Sequence, residues 1–197
     1  MKISITIKGI TPLLMNRFHE ENEVAISSGT SAVQIGDKGT PRQQAEKKIY
    51  TDKEGNLYIP GPALFACLIN AGKFHKVGKS KVTTQKTSLI PAGITIEDIV
   101  VPLTNGNGGK PIWEVDSRSV VVPSTGGRIM CHRPRVDEWG ARFTLDVDTE
   151  MFHPKFVRIL VDDAGKKVGL LDYRPERKGP FGRFVVTGWE EEPDQLG

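Results

Sequence analysis

The stretch with the most chemistry in it is "GLLDYRPERKGPFGRF", residues Gly169 to Phe184. Arg174, Arg177, Lys178 and Arg183 supply cations for phosphate oxygens, and arginine can engage two oxygens at once. Gly169, Gly179 and Gly182 have no Cβ, so the backbone can come close to a ligand there. Successive N–H groups in such a turn can form an anion-binding concavity. Tyr173 and Phe181 offer faces on which bases stack. The same composition also describes a hairpin with solvated charges, and composition alone leaves both readings open. The stretch is not a Walker loop, because it lacks the closing Gly-Lys-Ser/Thr.

A second basic group lies in "KFHKVGKSKVTTQK". Lys73, Lys76, Lys79, Lys81 and Lys86 occur there with too few apolar residues to pack, which reads as an exposed basic loop. Arg118, Arg128, His132, Arg133 and Arg135 sit on two strand-like arms and would extend a cationic track if folding brought them alongside. Residues suited to cutting a strand are sparse. None of the four histidines, His19, His75, His132 and His153, pairs with another at metal-ligand spacing. His19, Asp37 and His75 fall in loops and are the conceivable acid–base groups, although surface or structural duty explains each as well. "FHEENE" reads as a solvated acidic turn ahead of a divalent-cation site. Cys67 and Cys131 form no C-x-x-C pair, which argues against zinc. The sequence thus nominates binding residues and no catalytic residue, metal ligand or cofactor.

The elements that must position these residues follow from periodicity. "KISITIKGI" alternates Ile3, Ile5 and Ile7 with polar residues, the pattern of a half-buried strand. A polar segment of about residues 16–56 follows, interrupted by a short helix in "PRQQAEKKIY". "LYIPGPALFACLINAGKF" predicts a helix with Gly61 as cap, Pro62 at its first position, Leu64, Cys67, Leu68 and Ala71 inward, and Gly72 as the stop. "AGITIEDIVVPL" predicts one or two strands. "IWEVDSRSVVVP" and "GRIMCHRPRV" form arms about the turn "STGG", and "ARFTLDVD" is a core strand. "HPKFVRILVDDAG" predicts a second helix with Phe156, Ile159, Leu160 and Ala164 inward and Gly165 past its end; "RFVVTGW" is the last strand. Setting the arms aside, the order is strand, helix, strand, strand, helix, strand. That predicts an α+β, ferredoxin-like (RRM-like) βαββαβ core with long loop insertions and a β-arm.

The 197 residues suffice for one such domain carrying insertions. With 38% hydrophobic and 26% charged residues, the composition is that of a soluble globular protein. A formal charge of +3 leans mildly toward anionic partners. No apolar run approaches membrane length, and the cysteine usage suits a reducing compartment, so a cytoplasmic protein is expected. Residues 190–197 form an acidic tail.

Two of these segments carry a family resemblance. "LYIPGPALFACLINAG" resembles the "IPG" opening of the first helix in the repeat-associated mysterious protein (RAMP) superfamily. "VGLLDYRPERKGPFGRFVV" resembles that superfamily's glycine-rich loop before its last strand, and "TPLLM" after the first strand fits the same layout. The resemblance implies a ferredoxin-like core that binds single-stranded guide RNA. The type resembled is the backbone subunit of CRISPR effector complexes, which would make copies of itself and other effector subunits its partners. It also implies that residues 16–56 form a web-like loop and residues 103–140 a thumb-like arm. Pro62, Ala63 and Asn70 depart from the family's hydroxyl and basic residues at the first helix. Asp37 in "QIGDKG" is a loose match to the aspartate with which some relatives cut target RNA, and His19 and His75 match no cleavage site. The expectation is therefore a non-catalytic RNA-binding subunit. A related endoribonuclease, or a phage-type relative that binds single-stranded DNA or serves in protein assembly, is the alternative.

Overall fold

β1 (Lys2–Gly9) lies between two antiparallel neighbours in the computed structural model, which describes residues 1–18, 39–121 and 126–192. Its alternation works as the sequence predicts. Ile3, Ile5 and Ile7 are fully buried, and each contributes roughly 2 kcal/mol of apolar transfer. The other elements, in chain order, are β2 (Leu13–Leu14), α1 (Pro41–Glu46), β3 (Tyr58–Pro60), α2 (Gly61–Ala71), β4 (Lys76–Val77), β5 (Ser80–Lys81) and α3 (Ile90–Gly93). After these come β6 (Ile94–Ile96), β7 (Val100–Thr104), β8 (Glu114–Val121), β9 (Arg128–Val136), β10 (Gly140–Val147), α4 (Pro154–Asp163) and β11 (Phe184–Glu192). The main sheet runs β11-β1-β10-β7-β3, with β6 also paired to β10. All of these pairings are antiparallel, so the fold is mixed α+β.

One face of the sheet carries the core. Phe143, Leu145 and Val147 of β10 join the β1 isoleucines, and α2 and α4 cover them with Leu64, Cys67, Leu68, Val157, Leu160 and Val161. The opposite face is polar. Lys2, Ser4 and Thr6 lie in register with Asp146, Thr144 and Arg142 on one side, and with Glu192, Glu190 and Gly188 on the other. RNA-recognition modules stack bases on sheet aromatics, and these outward positions hold none.

The helix boundaries differ from the sequence expectation in instructive ways. Pro60 caps α2, Gly61 is its first residue, and Gly61 N–H donates to the Ile99 carbonyl at 2.8 Å. A Cβ on Gly61 would collide with the Asp98 carbonyl oxygen, so this glycine serves a close backbone approach. Gly72 caps the helix as expected, although not in the left-handed conformation usual for a glycine stop. It stays right-handed (φ −55°) and leads into a 3-10 turn through Phe74, and a Cβ there would strike Thr83. On α4, Val157, Leu160 and Val161 face the core while Ile159 is 55% exposed. Gly165 lies inside a π-turn, Ala164–Val168, and the termination falls at Gly169 with φ +76°.

The arm is a regular hairpin from Glu114↔Arg135 to Val121↔Arg128, and β2 pairs with its base. Thr40 and Gln43 form a capping box on α1, whose Arg42 guanidinium sits 3.4 Å over the Trp113 ring at the foot of the arm. Residues 19–38 of the expected web-like segment, the arm tip at 122–125 and the end of the acidic tail at 193–197 lie outside the described residues. His19 and Asp37 fall there too.

The two cysteines differ sharply. Cys67 is buried between α2 and the π-turn, its thiol donates to the Gly169 carbonyl at 3.2 Å, and burial pushes its pKa well above the ordinary thiol value. Cys131 on β9 is only partly buried. A native-state thiol titration at neutral pH should therefore label Cys131 readily and Cys67 only after denaturation. Equal labelling of both in the folded state would contradict this packing.

Candidate nucleic-acid interface

The glycine-rich loop is tightly built. Leu171, Tyr173 and Lys178 all take positive φ (57°, 50° and 62°), alongside Gly169 and Gly182. Non-glycine residues in that region cost about 1 kcal/mol or more each, and such clusters persist only where surrounding structure enforces them. The enforcement is visible. Leu170 N–H donates to the Gly182 carbonyl, Phe181 N–H to the Tyr173 carbonyl and Gly179 N–H to the Arg174 carbonyl. Gly182 N–H donates to the Pro12 carbonyl and Asp172 N–H to the Leu14 carbonyl. These donors are spent within the protein, so the loop is not an open anion concavity, and only side chains are left to meet an anion there. The glycines serve the same closure. A Cβ on Gly179 would collide with the Tyr173 carbonyl, and one on Gly182 with the Leu170 carbonyl.

The side chains divide into free and engaged cations. Arg177 and Lys178 are exposed and make no ion pair among the described residues. Arg174 donates from Nη1 to the Leu171 carbonyl at 2.7 Å and from Nε and Nη2 to Glu176 at 3.0 and 2.7 Å. Glu176 also lies 3.7 Å from Lys73 Nζ, which joins the end of α2 to the loop. Arg183 Nη1 donates to the Lys166 carbonyl at 2.6 Å. Lys76, Lys79 and Lys81 belong to the small exposed hairpin of β4 and β5, with Gly78 at its turn (φ +59°).

The arm meets the loop at its base. The Arg118 guanidinium lies 4.8 Å from the Phe181 ring centroid while its Nε is held by Asp116 at 2.8 and 2.9 Å. Phe181 is only 8% exposed and stacks edge-on with the more exposed Tyr173 at 5.9 Å. Of the two stacking candidates, Tyr173 is therefore the accessible one. Arg133 is turned inward. It is 6% exposed, donates to Asp172 at 2.8 Å and lies 3.8 Å from Asp116. Arg135 is tied to Asp137 at 2.7 Å and Glu114 at 3.2 Å. Arg128 is exposed near the arm tip, seven register steps and so roughly 24 Å from Arg135 at strand rise.

The structure thus brings together Lys73, Tyr173, Arg174, Arg177, Lys178, Phe181 and Arg118, while the Arg183 guanidinium turns to the Lys166 carbonyl. It makes Arg133 part of the scaffold and leaves Arg128 distant. Glu176, Asp172 and Asp116 were missed in the sequence, because a carboxylate gives no local sign of pairing with Lys73 or Arg133, 17 to 103 positions away. Two of the three described histidines are hydrogen-bonded, and the third, His75, only lies near a carboxylate. His75 Nε2 faces Asp163 at 3.0 Å with its ring edge-on to Phe156, His132 Nδ1 meets Ser117 Oγ at 2.7 Å, and His153 caps α4 by accepting from Lys155 N–H.

No protein-family model and no curated protein matches this sequence. The fold has a solved counterpart. It is similar to a chain in the cryo-EM structure of the Type III-B Cmr-beta bound to cognate target RNA. The TM-score is 0.53 at 9% identity, and the match covers 96% of this chain and 59% of that chain. The present chain therefore spans little more than half of that chain's length. At so low an identity the likeness concerns the fold.

Two substitutions separate scaffold from surface. Gly182→Ala adds a backbone collision at a positive φ and should cost at least about 2 kcal/mol, a melting-temperature fall of about 4–8 °C for a chain this size. Arg133→Ala leaves two carboxylates without their buried partner and should cost about 3–5 kcal/mol. Thermal unfolding followed by circular dichroism checks both, and an unchanged midpoint for either would contradict the geometry above.

Proposed function

We propose that this protein is a non-catalytic, single-stranded-RNA-binding subunit of a CRISPR-type ribonucleoprotein complex, of the RAMP kind that assembles side by side along a guide RNA. The observation that carries the reading is the junction of three sequence-distant segments, where Arg118 of the arm covers Phe181 and Glu176 of the loop joins Lys73 at the end of α2. Around it, Arg177, Lys178 and Tyr173 stay exposed to meet a phosphate chain and a base. The pairing of β1 with both β10 and β11, and of β10 with β6, supports a ferredoxin-like, split-βαβ core in this reading. A fold shared with a chain of an RNA-bound Type III-B complex supports the same reading.

In this reading the partners are guide RNA, further copies of the chain and other effector subunits, and the site of action is the cytoplasm. Among the described residues, no helix is long and apolar enough to cross a membrane.

Fluorescence anisotropy with single-stranded RNA tests the proposal. Affinity should fall with salt at a log–log slope of about −0.7 per phosphate neutralised. The Arg177→Ala/Lys178→Ala double variant should weaken binding on every sequence and flatten that slope by about 1.4 if each side chain meets one phosphate. RNA length should be unchanged after incubation, and single-stranded DNA should compete less well because it lacks the 2′-hydroxyl. Undiminished affinity in the double variant at low salt, or progressive cleavage, would overturn the reading.

A further inference from the structure

We propose that Arg174 and Lys73 form a binding site for a single backbone phosphate, and that the Glu176 carboxylate occupies this site when no strand is bound. The inference rests on the RNA-binding reading above and deepens it, by naming the group that the strand must displace.

The carboxylate underfills its donors. Arg174 aims both Nε and Nη2 at one oxygen, Glu176 Oε2, instead of one at each oxygen. The other oxygen, Oε1, lies 3.7 Å from Lys73 Nζ, too far for a hydrogen bond. The guanidinium is pre-oriented, because its Nη1 is fixed to the Leu171 carbonyl at 2.7 Å. Such a fork presents two parallel donors at the spacing of two phosphate oxygens. A phosphodiester has two non-bridging oxygens on a tetrahedral centre. It can take one arginine donor on each and still lean one oxygen toward the lysine.

The position allows the exchange. Arg174 and Glu176 keep 22% and 23% of their side-chain exposure, and Lys73 keeps 46%. Glu176 sits in the 3-10 turn Pro175–Arg177, at the surface, where its side chain can rotate out without disturbing the core. The exposed Arg177 and Lys178 follow it directly, so a strand whose phosphate replaced the carboxylate would find further cations next in line. The charges balance, since one monoanion replaces another. The strand then gains only the difference between a phosphate and a carboxylate at this site, and the displaced Glu176 repels it. Glu176 is therefore an internal competitor that lowers affinity.

The experiment compares wild type, Glu176→Gln and Glu176→Gln/Arg174→Ala in low salt, with a single-stranded oligouridylate and with tripolyphosphate as probes. Glu190→Gln serves as control, because it removes the same charge from an exposed pair with Arg142 on β11. Glu176→Gln should tighten oligouridylate binding by about three- to fivefold, the range of a partly exposed ion pair. That gain should vanish in the Arg174→Ala background and be absent in Glu190→Gln. If wild type binds oligouridylate and Glu176→Gln binds no tighter, or Glu190→Gln gains as much, this inference is overturned and the RNA-binding reading stands. If no form binds oligouridylate but Glu176→Gln alone gains tripolyphosphate, the phosphate site stands and the RNA-binding reading fails. If no form binds either probe, both fail.

Discussion

The five residues Thr11–Met15 carry more of this structure than any helix does, because their backbone is hydrogen-bonded to three separate parts of the chain. Trp139 Nε1 donates to the Thr11 carbonyl at 2.8 Å, and Arg183 N–H donates to the Thr11 hydroxyl at 2.9 Å. The Pro12 and Leu14 carbonyls accept from Gly182 and Asp172 of the glycine-rich loop. Leu13 and Leu14 pair with Val136 and Arg135 of the arm, and Met15 N–H donates to the Pro134 carbonyl. Leu13, Leu14 and Met15 are fully buried, so their backbone groups have no water to fall back on. Losing a partner would cost about 1–3 kcal/mol per group. Core, loop and arm are thus held in one register by a segment with almost no secondary structure of its own.

That constraint explains why the loop can hold strained backbone. Three non-glycine residues with positive φ would relax in a free hairpin. Here the loop is pinned at Leu170, Asp172 and Gly182, and the intervening residues must turn within a fixed span. The outcome is a rigid platform from which Arg177, Lys178 and Tyr173 project. In the proposed RNA-binding role, such rigid presentation would lower the ordering cost of taking up a strand.

Charge pairing divides the labour among the arginines. Arg133 is nine-tenths buried between Asp172 and Asp116, where it specifies how the arm docks on the loop. Arg118 shares Asp116 and lies over Phe181, so the same carboxylate orders an inner and an outer arginine. Residues 42–48 dock on the arm as well, through Lys48 Nζ to the His132 carbonyl at 2.9 Å and Arg42 over Trp113. With few long helices, the molecule relies on these polar and cation–π contacts to fix its periphery.

Local periodicity determined the elements. Alternating isoleucines made β1, "YIPG" began α2, and "ARFTLDVD" made β10, because each of these depends on a residue's near neighbours. The cationic loop was legible as composition. Its state was not: whether its N–H groups were free or spent depended on Pro12 and Leu14, about 160 residues away. Gly72 and Gly165 lie at or past the ends of their α-helices, as local pattern suggests, but the atoms that also demand glycine there belong to Thr83 and Phe184. The same holds for the arginines. Sequence determined that they are cations; only tertiary structure decided that Arg133 is scaffold and Arg177 surface. A side chain's availability depends on which distant carboxylates folding places beside it, and no local pattern encodes that.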